Sequence, residues 1–157
     1  MSGAAASRPP DGEVPARCPG PERLRQALEQ EINGLRAAPR RCGTQELPAA
    51  PGLRWDQLLF ATAVRHVGDM AHRGYFSHHT PEGVTPAQRG AAAGYDWGLY
   101  GENIASGQHS IDAALNSWLT SPAHCRALMN PDFRDGALAC NLSANGILWA
   151  LELGRRR

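Results

Sequence analysis

Residues 136–153 read GALACNLSANGILWALEL, and this stretch limits the fold more than any other. Its first part alternates small and apolar residues. Its second part, ILWALEL, is almost wholly apolar. Asn145-Gly146 between them is a strong short hairpin signal. A two-residue turn there sets Leu142 opposite Trp149 and Cys140 opposite Leu151. An antiparallel hairpin with an apolar second strand must be covered on both faces, so the rest of the chain has to supply two layers of helix.

The helices are legible from apolar spacing and end signals. PERLRQALEQEINGLRAA places Leu24, Leu28, Ile32 and Leu35 on one helical face, with Pro21 at its start and Pro39 beyond its end. A Pro/Gly-rich loop is expected over 42–52. Asp56 then caps a second helix with a stripe of Leu59, Ala63, Val67 and Met70, closed by Gly74. Thr85, Pro86 and Gln88 make a capping box, and Gly94 ends that helix. Ser110 caps IDAALNSWL, which buries Ile111, Leu115 and Trp118. Ser121-Pro122 starts a short helix carrying His124, Leu128 and Met129. The expected fold is α+β: a three-layer α/β/α sandwich with a small, mainly antiparallel sheet between helices.

The 157 residues are 42% hydrophobic, enough for one domain with a real core. We divide them into a disordered segment 1–20, a domain 21–154 and a basic tail 155–157. Sixteen basic against fifteen acidic residues argue against a nucleic-acid partner, and no apolar run is long enough to span a membrane. The N-terminus lacks the charged start and apolar stretch of a signal peptide, which leaves a removed leader or an intracellular chain. Cys18, Cys42, Cys125 and Cys140 contain no CxxC pair. Their even count fits two disulfides. Of three connectivities, Cys18–Cys42 with Cys125–Cys140 closes two local loops, each worth roughly 3 kcal/mol in the entropic picture. Four reduced thiols in a reducing compartment are the alternative.

FSHHTPEG (76–83), GENIASG (101–107) and SPAH (121–124) fall at element ends or in loops, where functional groups concentrate. They offer His78, Glu102 and His124. Two imidazoles and a carboxylate can bind zinc, run acid–base chemistry, or form a structural network. His124 is the third residue of its helix, where the helix dipole favours a neutral ring. His66, Asp69 and His72 read as a solvated, salt-bridged face, with Asp69 pairing to Arg65 or Arg73. The adjacent His124–Cys125 pair points apart on a helix and cannot be a catalytic dyad.

These segments, in order over roughly residues 24–154, resemble the CAP superfamily (cysteine-rich secretory proteins, antigen 5 and pathogenesis-related 1), and most of all its bacterial SCP-like branch. GENIA followed by W-x-x-S-P-x-H carries the resemblance. It implies an α/β/α sandwich, a secreted or periplasmic location, and a shallow cavity in which His78, Glu102 and His124 match the family's motif positions. It also implies a binding or interaction module, with a small amphipathic ligand, a cell-wall component or a protein as partner. No cofactor is required. Zinc held by His78 and His124 belongs to the alternative, a zinc-dependent hydrolase with Glu102 as its base and its one catalytic candidate. The second glutamate of many eukaryotic members falls here on Ser121, which weakens both zinc affinity and a general-base role.

Overall fold

The computed structural model describes residues 17–157. The segment 1–16, most of the stretch expected to be disordered, lies outside the described residues. Residues 17–20 are described, and Cys18 within them is bonded to Cys140.

The first rod comprises α1 (Pro21–Gln26), a π-helical segment (Ala27–Ile32) and α2 (Asn33–Arg36). Leu24, Leu28 and Ile32 are buried along it, as their spacing requires. Arg36 at its end is fully buried. Its guanidinium donates to the carbonyls of Pro51, Leu128, Asn130 and Phe133, pinning the rod to the chain before the sheet. The expected loop after it contains a small hairpin, β1 (Arg40–Cys42) with β2 (Gln45–Leu47), turned at Gly43 with φ 61°.

β3 (Arg54–Trp55) leads into α3 (Gln57–Arg73). Asp56 caps α3 by accepting from the amides of Leu58 and Leu59, and Gly74 closes it in the left-handed region at φ 68°. The stripe Leu59, Ala63, Val67 and Met70 is buried. α4 (Pro86–Ala92) has the full capping box of Thr85 and Gln88. β4 (Trp97–Ser106), α5 (Ile111–Leu119), α6 (Pro122–Met129), β5 (Asp135–Ser143) and β6 (Gly146–Arg156) complete the chain. Ser110 caps α5 through the amide of Ala113.

The main sheet runs β3-β5-β6-β4, with β3 parallel to β5 and the other pairs antiparallel. β6 sits inside it, and its alternating side chains build two cores. Ile147, Trp149, Leu151 and Leu153 pack with Leu28, Leu115, Trp118 and Leu128. Leu148 and Ala150 pack with Ala63, Val67 and Met70 of α3. The three layers follow from this alternation: the first rod, α5 and α6 below, the sheet between, and α3 with α4 above.

The hairpin register differs from the expected one by two residues. Ser143 pairs with Gly146, so Cys140 faces Trp149 and Leu142 faces Ile147. The Ser143 hydroxyl explains the shift, because it donates to the Gly146 carbonyl and accepts from the Asn145 amide. A slip of two leaves each side chain on its expected face. The basic end is not a free tail. β6 runs to Arg156, which bridges Asp56 at 2.5 Å.

The disulfide pairing is also corrected. The bonds are Cys18–Cys140 and Cys42–Cys125. Two nested long-range links replace two local loops, because β1 lies against α6 and the entry segment lies against β5.

One close approach fixes how α4 meets β4. A Cβ added at Gly90 would lie 2.3 Å from Cε2 of Tyr100. Gly90→Ala is therefore expected to cost about 1–3 kcal/mol through overpacking, read as a lower denaturant midpoint. An unchanged midpoint would contradict the contact.

Candidate functional site

GENIASG is not a loop. Glu102 lies in the middle of β4, directly opposite Glu152 of β6, and its side chain is only 1% exposed. A carboxylate buried on a strand needs compensating partners, and it has them from three elements. His78, from the loop between α3 and α4, places Nδ1 2.7 Å from Oε1. Arg89 of α4 donates from Nη2 to Oε2 at 2.6 Å. Glu152 lies across the strand pair.

The two carboxyls share the site by holding different protonation states. Glu152 is fully buried. Burial, followed by the charge and hydrogen bond of Glu102, raises it well above the usual carboxylate range. Tyr100 donates its hydroxyl to Oε2 of Glu152 at 2.8 Å. The other oxygen, Oε1, receives no hydrogen bond among the described residues. With Glu152 pushed up and Glu102 pushed down, the proton of the pair resides on Glu152. Burial alone would raise Glu102 as well. The hydrogen bonds from Glu152 and His78, with the charge of Arg89, outweigh it and hold Glu102 far below its ordinary value.

Arg89 also ties the His78 loop down, donating from Nη1 to the His78 carbonyl at 2.6 Å. His78 itself remains 46% exposed on its side chain. An open recess of about 290 Å³ lies there, lined by His78, Thr85, Pro86, Ala87 and the β4 segment 100–102.

His124 approaches from the opposite layer. Its carbonyl accepts from Asn103, whose side chain points to the other face of β4. Its Nδ1 lies 2.8 Å from the Ser121 hydroxyl, so Ser121 serves the imidazole instead of capping α6 with its side chain. The ring is held towards its neutral form by burial first and by the nearby His78 second. This differs from the helix-dipole reason expected of its position. Glu102 and His78 are thus in direct contact, while His124 hydrogen-bonds to neither.

His66 departs most from its expected place. It is fully buried, with Nε2 2.8 Å from the Ser77 carbonyl and 4.0 Å from Oε1 of Glu102. Burial is the main cause of its lowered pKa, so it is neutral and donates from Nε2 to Ser77. Its spacing from Ala63 and Met70 in α3 was the missed signal. Asp69 does pair with Arg73, at 3.0 Å. Arg89, Tyr100 and Glu152 were also missed. The signal for Glu152 was a lone acid in an apolar strand, the same signal that singled out Glu102.

Among the described residues no group of three or more His, Cys, Asp or Glu side chains is placed to hold a metal. Both oxygens of Glu102 are engaged, and the Arg89 guanidinium already supplies the compensating positive charge.

Comparisons with known proteins agree with the architecture. Residues 29–152 match the family described as CAP, the cysteine-rich secretory protein family. The uncharacterized protein YkwD of Bacillus subtilis is 31% identical over 100 residues, covering 64% of this chain and 38% of that protein. The chain therefore spans well under half the length of that relative. The structure of an extracellular protein containing an SCP domain from Bacillus anthracis superposes with a TM-score of 0.64 at 27% identity, covering 87% of this chain and 43% of that one. An outer surface protein from Borrelia burgdorferi gives 0.72 at 23% identity, covering 90% and 99%, and shows the shared fold alone. With the matched region taking in β4, β5, most of β6 and the helices on both faces, this chain belongs to the CAP, or cysteine-rich secretory protein, family.

Proposed function

We propose that this chain is an extracytoplasmic binding or interaction module whose ligand enters the recess beside His78 and Glu102, with His124 at its far side. The observation that carries this reading is the state of Glu102. Its side chain is 1% exposed and both oxygens are bonded. A general base must reach its proton and have a pKa near the working pH. Glu102 has neither access nor basicity, so the zinc-dependent hydrolase draws no support from the geometry. A clamped carboxylate instead fixes the His78 ring and the wall of the recess.

Two further features support an extracytoplasmic setting. Disulfides persist in oxidising compartments, and all four cysteines are paired. The Bacillus anthracis relative is itself described as extracellular. Among the described residues no helix is long and apolar enough to cross a membrane. A recess of this size suits a small amphipathic molecule, a piece of cell wall, or a protruding segment of a protein.

The test uses solubilised cell-wall fragments and follows the His78 ring by NMR. The expected result is a shift of the His78 signals with no product formed. His78→Ala should weaken binding at least about tenfold, while losing only about 1–2 kcal/mol of stability for the broken hydrogen bond. Turnover of the fragments that His78→Ala abolishes would contradict the reading.

A further inference from the structure

β4 is the last strand of the main sheet, so among the described residues one of its edges has no strand beside it. The direction of its main-chain groups follows from the register. Gly107 donates its amide to the Ile147 carbonyl of β6 at 2.8 Å, and the same register pairs Asn103 with Leu151 and Gly101 with Leu153. Odd-numbered residues therefore bond to β6. Even-numbered ones direct both N–H and C=O away from the sheet.

Most of that outward edge is blunted. The Ile104 carbonyl is taken by Nε1 of Trp118 at 3.0 Å. At the other end the register slips between Trp97 and Leu99, and Nε1 of Trp97 is committed to the Ala87 carbonyl. Bulges and covers of this kind are how proteins protect sheet edges. A window is left between them at Tyr100 and Glu102. Glu102 is half-buried as a residue although its side chain is 1% exposed, so its exposed surface is main chain. The window opens into the recess beside His78.

Resting on the binding reading above, we infer that the ligand is a short extended peptide that adds to β4 at Tyr100 and Glu102 through main-chain hydrogen bonds. Two residues present two donors and two acceptors at the strand spacing of about 3.3 Å per residue, a row that an extended peptide complements group for group. Saccharide hydroxyls and lipid headgroups have no such alternating row. An added strand would send its alternate side chains to opposite faces of the sheet. One set meets the layer of His78 and the other the layer of His124.

The experiment measures amide exchange on the whole chain by NMR, with the blocked peptide acetyl-Val-Thr-Val-amide at millimolar concentration. The amides of Tyr100 and Glu102 should exchange fast in the free protein, unlike those of Gly101 and Asn103. The peptide should slow them at least about tenfold, and the same peptide N-methylated at every amide should not. Four results would each overturn the inference: slow exchange at these two amides without peptide, no response to the peptide, equal protection by the methylated peptide, or protection that grows with protein concentration alone and so signals a second copy on the edge. Cell-wall fragments that move the His78 signals while leaving both amides untouched would also overturn it, and would leave the binding reading of the recess standing.

Discussion

Arg89→Met is expected to lower stability by about 3–5 kcal/mol at neutral pH, because it leaves Glu102 charged and buried without its cation. For a chain of this length that is a fall in melting temperature of about 6–20 °C. The pH dependence identifies the cause. In the native protein Glu102 is held far below its unfolded value. Its contribution is fully present above the ordinary glutamate range and is lost as pH falls towards about 2. Without Arg89 the burial cost dominates and the folded pKa rises. The variant then gains stability, relative to the native protein, as pH falls through the glutamate range, and the gap narrows on acidification. Adding Glu102→Gln should recover part of the loss. Thermal unfolding of the three proteins across pH checks this, and a pH-independent deficit would mean that Arg89 acts only through packing.

Removing the disulfides should have an effect of similar size. The bonds span 122 and 83 residues of sequence. In the entropic picture each alone is worth about 4.5–5 kcal/mol, and the second adds less because one loop lies inside the other. Cys42→Ser with Cys125→Ser is expected to shift the denaturant midpoint strongly. It should also loosen the start of α6, where His124 adjoins Cys125. Mapping by mass spectrometry under non-reducing conditions should recover Cys18–Cys140 and Cys42–Cys125. A Cys18–Cys42 peptide would contradict the structure.

The helix ends were legible because their chemistry is local. Asp56, Thr85 with Gln88, and Ser110 cap the helices that their spacing announces. The layer architecture was legible because the apolar run of β6 demands cover on two faces. The disulfide pairing was not, since proximity in sequence says little about which segments pack together. β4 was hidden by its glycines, which answer to packing: a Cβ at Gly101 would come within 2.5 Å of the Phe133 ring. Of the site, His78 and Glu102 could be read as a pair. Arg89, Tyr100 and Glu152 could not be joined to them without the register that sets Glu102 against Glu152 and the close packing of α4 on β4.

Glu102 is a clamped carboxylate facing a Glu152 that burial pushes well up, the state on which the proposed binding role of the recess rests. Carboxyl-carbon NMR of the two glutamates across pH tests it most directly. Glu102 is expected to stay ionised until about pH 2, and Glu152 to be still protonated at neutrality. Glu102 titrating in the ordinary glutamate range or above it, or Glu152 ionised at neutral pH, would contradict it.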